Sequence, residues 1–270
     1  MATFIGIIGC GNMGTAVIGG IQGNSTLQKK YRLMASDVDP FKRKKIASKY
    51  HIPVTEDNRQ LAEKSDILLL AVKPQEIHQV LTEMADKIGK SKLIISIAAG
   101  MTTEVIEKTL NSKVRVVRVM PNTPALIGEG ISAIAGGRFA KRGDIQRTLE
   151  IFKAVGEVVQ LKEKDLDAVT ALSGSGPAYF AYWIGALVEQ GIAEGLDLKI
   201  ALKLALATAK GTAMLLQKTQ LSPEELITRV ASKGGTTEAA LKVFEQEQLK
   251  EKIKRAVHAA VERSRELSQM

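Results

Sequence analysis

Residues 3–14 read TFIGIIGCGNMG, and this stretch decides the fold. A short apolar run from Phe4 to Ile8 fits a β-strand. It enters Gly9-x-Gly11-x-x-Gly14, and beyond it Ala16, Val17, Ile18 and Ile21 recur at helical spacing. Strand, G-x-G-x-x-G and helix in that order form a dinucleotide-binding turn. In such a turn Gly9 makes the tight bend, Gly11 lets backbone approach a pyrophosphate, and Gly14 lets the helix lie close on the strand. The helix N-terminus offers unpaired N–H groups and the positive end of its dipole. Cys10, Asn12 and Met13 complete the loop. Glycines at this spacing also occur in ordinary α/β turns; the flanking elements are what point to a nucleotide.

Outward from this stretch, short strands alternate with helices. Strands are expected at 4–8, 32–36, 67–72, 93–97, 114–119, 131–135 and 157–161, with helical patterns at 40–49, 75–87, 103–110 and 141–154. The run ILLLAV is apolar at every position, as in a strand covered on both faces. Alternation of this kind predicts a Rossmann-type, doubly wound, mainly parallel sheet over residues 1–162. From about Lys164 the strand signal stops. Segments 178–194, 199–217, 223–231, 238–245 and 248–267 read as helices, punctuated by Gly195, Ser222-Pro223 and Gly234-Gly235. Residues 163–270 are therefore expected to form an all-helical domain. Its run at 178–188, AYFAYWIGALV, is apolar nearly all round, which calls for cover on several sides. A second copy of the chain is the simplest cover, so a dimer through the helical domain is expected.

At 270 residues, 45% hydrophobic and 25% charged, the chain has the composition of a soluble globular protein with room for two domains. Cys10 is the lone cysteine, which excludes an internal disulfide and fits a reducing, cytoplasmic setting. The start lacks a basic n-region and a long apolar stretch. The net charge of +9 is spread among acids, and aromatics are only 4%, so nucleic-acid binding is not expected. The uncharged stretch 169–188 is about as long as a bilayer span. However, Ser173-Gly174-Ser175-Gly176-Pro177 breaks it, so an interrupted, buried helix is expected and no membrane segment.

Ligands of an open α/β sheet bind beyond the carboxyl ends of its strands. Besides the glycine loop, those ends carry Ser36-Asp37, Ala71-Val72-Lys73-Pro74, Ala98-Ala99-Gly100 and the stiff Pro121-Asn122-Thr123-Pro124. An acid such as Asp37 suits a ribose 2′-hydroxyl and thus NAD, whereas the basic cluster at 42–45 suits a 2′-phosphate and thus NADP. Asp39 equally fits an N-cap for a helix starting at Pro40, with the basic run as its wet face. Lys73 also fits a plain surface charge. In the helical half, Ser232-Lys233-Gly234-Gly235-Thr236-Thr237 combines glycines, hydroxyls and a helix start, which can cradle a carboxylate or simply turn one helix into the next. The three histidines, His51, His78 and His258, are scattered, and one cysteine makes no thiolate zinc site, so neither a triad nor a metal centre is expected. The chemistry is then a cofactor's, with the protein supplying position and electrostatics.

Taken together, IGIIGCGNMG, AVKP, IAAG, PNTP, ALSGSGPAY and PEELITRVASKGGTTEAAL resemble the pyrroline-5-carboxylate reductase family, in order and over almost the whole chain. The resemblance implies reduction of 1-pyrroline-5-carboxylate to L-proline with NADPH, NADH being possible, in a dimer or a ring of dimers. It implies cofactor contacts from the glycine loop, Ser36, Asn58 and the 71–74 and 98–100 stretches. It also implies a substrate carboxylate held at 232–237, with Thr237 as the catalytic group on the ring nitrogen. Asn122 of the stiff 121–124 loop is expected, from its hydrogen-bonding side chain, to bind substrate as well. Lys233 stands where some members have proline, and Asp37 is unexpected in a family that commonly prefers NADPH. Two other readings share the scaffold. A β-hydroxyacid dehydrogenase would need a lysine soon after the G-S-G segment, and none occurs before Lys199. A non-enzymatic nucleotide-binding regulator would not need residues 232–237.

Overall fold

The computed structural model describes residues 2–269. Its first part runs β1 (Thr3–Ile8), α1 (Asn12–Gln22), α2 (Ser25–Lys30), β2 (Tyr31–Ser36), α3 (Pro40–Tyr50), β3 (Val54–Thr55), α4 (Asn58–Lys64), β4 (Ile67–Leu70) and α5 (Pro74–Met84). It continues with β5 (Leu93–Ser96), α6 (Thr103–Thr109), β6 (Arg115–Met120), β7 (Gly130–Gly136), α7 (Arg142–Lys153) and β8 (Gly156–Gln160). The strands form one eight-stranded sheet in the order β3-β2-β1-β4-β5-β6-β7-β8. Every neighbouring pair is parallel except β6 and β7. That reversal has a local cause. Only a short 3₁₀ turn, Thr123–Ile127, lies between those strands, too little chain for a helical crossover.

Strand residues alternate between two cores, because successive side chains point to opposite faces. Ile5, Ile7, Ile67, Leu69, Leu93 and Ile95 pack with Val17, Ile18 and Ile21 of α1 and with Ile151 and Phe152 of α7. Ile8, Leu68, Leu70 and Ile94 pack on the other face with Leu61, Ile77, Leu81, Met84 and Ile106. This double cover explains the uninterrupted apolar strands. It also fixes the carboxyl ends of β1, β2 and β4 side by side, which is where the cleft described below opens.

After β8 come α8 (Leu166–Val169), a π-helical segment (Thr170–Gly174), α9 (Gly176–Ala193), α10 (Leu198–Thr219), α11 (Pro223–Val230), α12 (Thr236–Gln246) and α13 (Leu249–Gln269). The sequence placed a domain boundary between 162 and 163. The compact units divide between Ser175 and Gly176, and residues from Ala260 onward count with the first unit. Leu166 accounts for the later division, since it is buried with Ala133 and Ala135 of β7. The returning end of α13 is fastened by Ser264 Oγ, which donates to Asp167 Oδ1 at 2.7 Å.

In the second unit, α9 meets α10 through Val188, Ala201 and Ala205, and Trp183 stands edge-on to Phe244 of α12 with ring centroids 6.0 Å apart. Only Gly176 and Val188 of α9 are buried. Phe180 is 69% exposed and Tyr182 82% exposed, so the stretch 169–188 is broken as expected, by the π-helical segment ahead of α9, but α9 is not buried within a single chain. Among the described residues no helix is long and apolar enough to cross a membrane.

Candidate functional site

The glycine loop is built as its spacing demands. Gly9 has φ +101°, a backbone conformation that side chains resist, and turns the chain out of β1. A Cβ on Gly14 would lie 2.1 Å from the Gly9 carbonyl oxygen, so α1 can approach the strand only without one. A Cβ on Gly11 would meet no atom within 4 Å and would point into open space. Gly11 is the N-cap of α1, offers no side-chain cap, and no acid lies in the first turn. The N–H groups of that turn have no intrahelical acceptor, and the dipole's positive end faces outward with them. An anion of pyrophosphate size is what such a helix start accepts.

Beside the loop lies a cleft of about 290 Å³. Gly9 and Gly11 line one wall, Ser36 and Asp37 the end of β2, Asn58 the start of α4, and Ala71, Val72 and Lys73 the end of β4. Asp37 is a brace. Its Oδ2 accepts from the Cys10 N–H at 2.8 Å and its Oδ1 from the Asp39 N–H at 2.9 Å, tying β2 to the glycine loop. Its side chain is only 7% exposed, with Lys42 Nζ 3.8 Å from Oδ2. Burial, and next the charge of Asp37, push the Cys10 thiol up to about 12, so Cys10 is a protonated filler and no nucleophile. Asp39 caps α3, accepting from the N–H of Phe41 at 2.8 Å. Ser36 Oγ donates to Asn58 Oδ1 at 2.7 Å, and Asn58 Nδ2 donates to Glu83 Oε2 at 3.1 Å.

Other expected cofactor residues sit around this cleft without lining it. Asn12, Met13 and Gly14 form the first turn of α1, and Pro74 is the first residue of α5. Ala98 is buried in the core beneath α5 and α6, Ala99 is half-buried beside it, and a Cβ on Gly100 would contact Leu267 of α13. Asn122 uses its Oδ1 to accept from the Ile131 N–H at 2.9 Å, pinning the 3₁₀ turn to β7.

In the second unit, Ser232, Lys233 and Gly234 lead into α12, whose N-cap is Gly235, again with no side-chain cap. Gly234 has φ +73°. Three of the loop's amides are engaged within the chain: Ser232 N–H with the Val230 carbonyl at 3.2 Å, Gly235 N–H with the Ser232 carbonyl at 3.0 Å, and Gly234 N–H with Glu238 Oε2 at 2.5 Å. Thr236 and Thr237 open the helix, where N–H groups lack an intrahelical acceptor. Thr237 is half-buried.

This geometry recurs in known proteins. A relative from Methanosarcina acetivorans named pyrroline-5-carboxylate reductase is 42% identical over 264 residues, covering 97% of each chain. The chain belongs to the pyrroline-5-carboxylate reductase family. A family model for pyrroline-5-carboxylate reductase dimerisation matches residues 163–267, and one for NADP oxidoreductase, coenzyme F420-dependent, matches residues 4–100. The solved reductase of Coxiella burnetii is 35% identical with a TM-score of 0.91 and full coverage of both chains. That of Plasmodium falciparum, solved with NADP bound, is 30% identical with a TM-score of 0.88 over 98% of each chain. In this member of the reductase family, α5 adds Glu76, Gln79 and Glu83 to the cleft, which motif reading missed. The helical spacing of Glu76, Gln79 and Glu83, at i, i+3 and i+7, was the available signal that one face of α5 is shared.

Proposed function

We propose that this chain reduces 1-pyrroline-5-carboxylate to L-proline, the last step of proline synthesis, with hydride from a reduced nicotinamide dinucleotide. The observation that carries the reading is near-full-length identity with named reductases, 42% over 97% of the chain. The cleft residues fit the dinucleotide, since Gly11 leaves open the space that a side chain would take, beside an uncapped helix start. When bound, the nucleotide supplies the hydride. The first turn of α1 would hold the pyrophosphate, and Ser36, Asn58, Ala71, Val72 and Lys73 would surround the rest within the cleft. Ala98, Ala99 and Gly100 shape the adjoining strand end.

The substrate is a cyclic imine carrying a carboxylate, and once protonated its C=N carbon already accepts hydride, so no buried base is required. The Thr236 and Thr237 amides would anchor the carboxylate, joined by the Gly234 amide once Glu238 yields it. The Thr237 hydroxyl would orient the ring nitrogen, with Ser232, Lys233 and Gly235 shaping the loop and Asn122 holding its turn in place. NADPH is the proposed donor and NADH a usable second. Support comes from Lys42 at the cleft and from an Asp37 carboxylate already bonded to backbone N–H groups. Self-association through the helical domain, as a dimer or a ring of dimers in the cytoplasm, completes the reading.

Rates with pyrroline-5-carboxylate and with a 3-hydroxy acid, each with both nucleotides, test it. Proline formation matched to nucleotide oxidation is expected, with no 3-hydroxy acid turnover; the reverse pattern would favour a hydroxyacid dehydrogenase, and no turnover a regulator. Thr237→Ala should lower kcat/KM roughly ten- to a hundredfold, the loss of one hydrogen bond to a charged group, with nucleotide affinity unchanged.

A further inference from the structure

We propose that Glu83 weakens, without abolishing, the grip of the cleft on a 2′-phosphate of the nucleotide ribose, acting through Asn58 on Ser36, so that NADPH is taken and NADH still serves. The inference rests on the nucleotide reading above and adds a residue outside every motif. A carboxylate only accepts hydrogen bonds. Glu83 Oε2 therefore holds the Asn58 amide with Nδ2 toward itself, and Asn58 must turn Oδ1 to Ser36. That oxygen accepts only, so the single proton of the Ser36 hydroxyl is spent on it. A flipped amide would set Asn58 Oδ1 against Glu83, acceptor against acceptor. Ser36 is fully buried and Asn58 is 8% exposed, so the chain of bonds sits where direction matters most.

Toward a ligand, Ser36 then offers lone pairs and no proton. A ribose 2′-hydroxyl can donate to them. A 2′-phosphate only accepts, and it finds the one Ser36 proton committed to Asn58 and one of the two Asn58 amide protons committed to Glu83. The cleft also carries three acids, Asp37, Glu76 and Glu83, against two lysines, Lys42 and Lys73, and a phosphate brings about −1.5 to −2 of further charge. Of these acids, Glu83 is the one joined to the buried pair. Replacing it with glutamine, which can donate as well as accept, removes the charge and lets the amide turn. Ser36 or Asn58 can then donate to the phosphate.

The test is calorimetric binding of 2′,5′-ADP and of 5′-AMP to the full chain, the Glu83→Gln variant and the Glu83→Ala variant. Glu83 lies on the exposed face of α5, so both variants should melt like the parent. In both, 2′,5′-ADP is expected to bind roughly tenfold more tightly, the gain of one hydrogen bond to a charged group, while 5′-AMP stays within about twofold. KM for NADPH should fall in step, with KM for NADH and for pyrroline-5-carboxylate unmoved. An unchanged ratio of the two affinities, or both shifting together, would overturn the role of Glu83 and leave the nucleotide site standing. Failure of the parent to bind either probe would overturn both.

Discussion

Gly11 and Gly14 stand three residues apart and do opposite work. An alanine Cβ at 14 would press on a backbone carbonyl that cannot rotate away, whereas one at 11 would touch nothing in the chain. Gly14→Ala should therefore cost about 1–3 kcal/mol of stability, the usual range for overpacking, and lower Tm by several degrees. Gly11→Ala should melt like the parent and lose nucleotide affinity by roughly tenfold, because its methyl stands where the pyrophosphate approaches. Thermal melts and nucleotide titrations on the two variants separate packing from binding; equal Tm losses would refute the division. These glycines were legible from spacing alone because the backbone there admits one residue type. The orientation of Asp37 was not. Nothing in the string says that its carboxylate turns to the Cys10 and Asp39 amides, since a short acid at a strand end has several donors within reach. Glu83 was hidden for a similar reason: its partner, Asn58, lies 25 residues away and meets it only once α4 and α5 pack.

Among elements, α3 decides between two uses of one acid. Asp39 accepts from the first amides of the helix and Pro40 follows at its first position, so Asp39 belongs to the cap. Asp39→Ala should cost about 1 kcal/mol in chemical denaturation and leave nucleotide affinity unchanged. A loss of affinity with no loss of stability would reassign it to the ribose. Long periodic elements were readable, and the seven strands expected all occur near their predicted places. β3 escaped because two residues, Val54 and Thr55, carry no period. The antiparallel turn into β7 follows from loop length more than from any strand's composition. α12 begins at Thr236, ahead of the pattern that starts at Glu238, because its opening threonines are poor helix formers that serve as the free end of a helix.

For the whole molecule, the apolar helix α9 connects sequence to assembly. Its residues read as a core, yet Phe180 and Tyr182 stay exposed in one chain, and the segment falls within a dimerisation family model. An exposed patch of this kind marks an interaction surface. Phe180→Asp combined with Tyr182→Asp should leave the helical circular-dichroism signal intact and convert the protein to monomer in sedimentation; a surviving dimer would place the interface elsewhere. That α9 would need cover could be read from its composition, but which of its faces α10 takes within the chain could not, because both partners are apolar. The account rests most heavily on where the small acid binds. A crystal structure with NADP⁺ and L-proline tests this directly. The prediction is a pyrophosphate at the first turn of α1 and a proline carboxylate within hydrogen-bond distance of backbone amides between residues 234 and 237. A proline carboxylate held elsewhere, with those amides still bonded only within the chain, would contradict it.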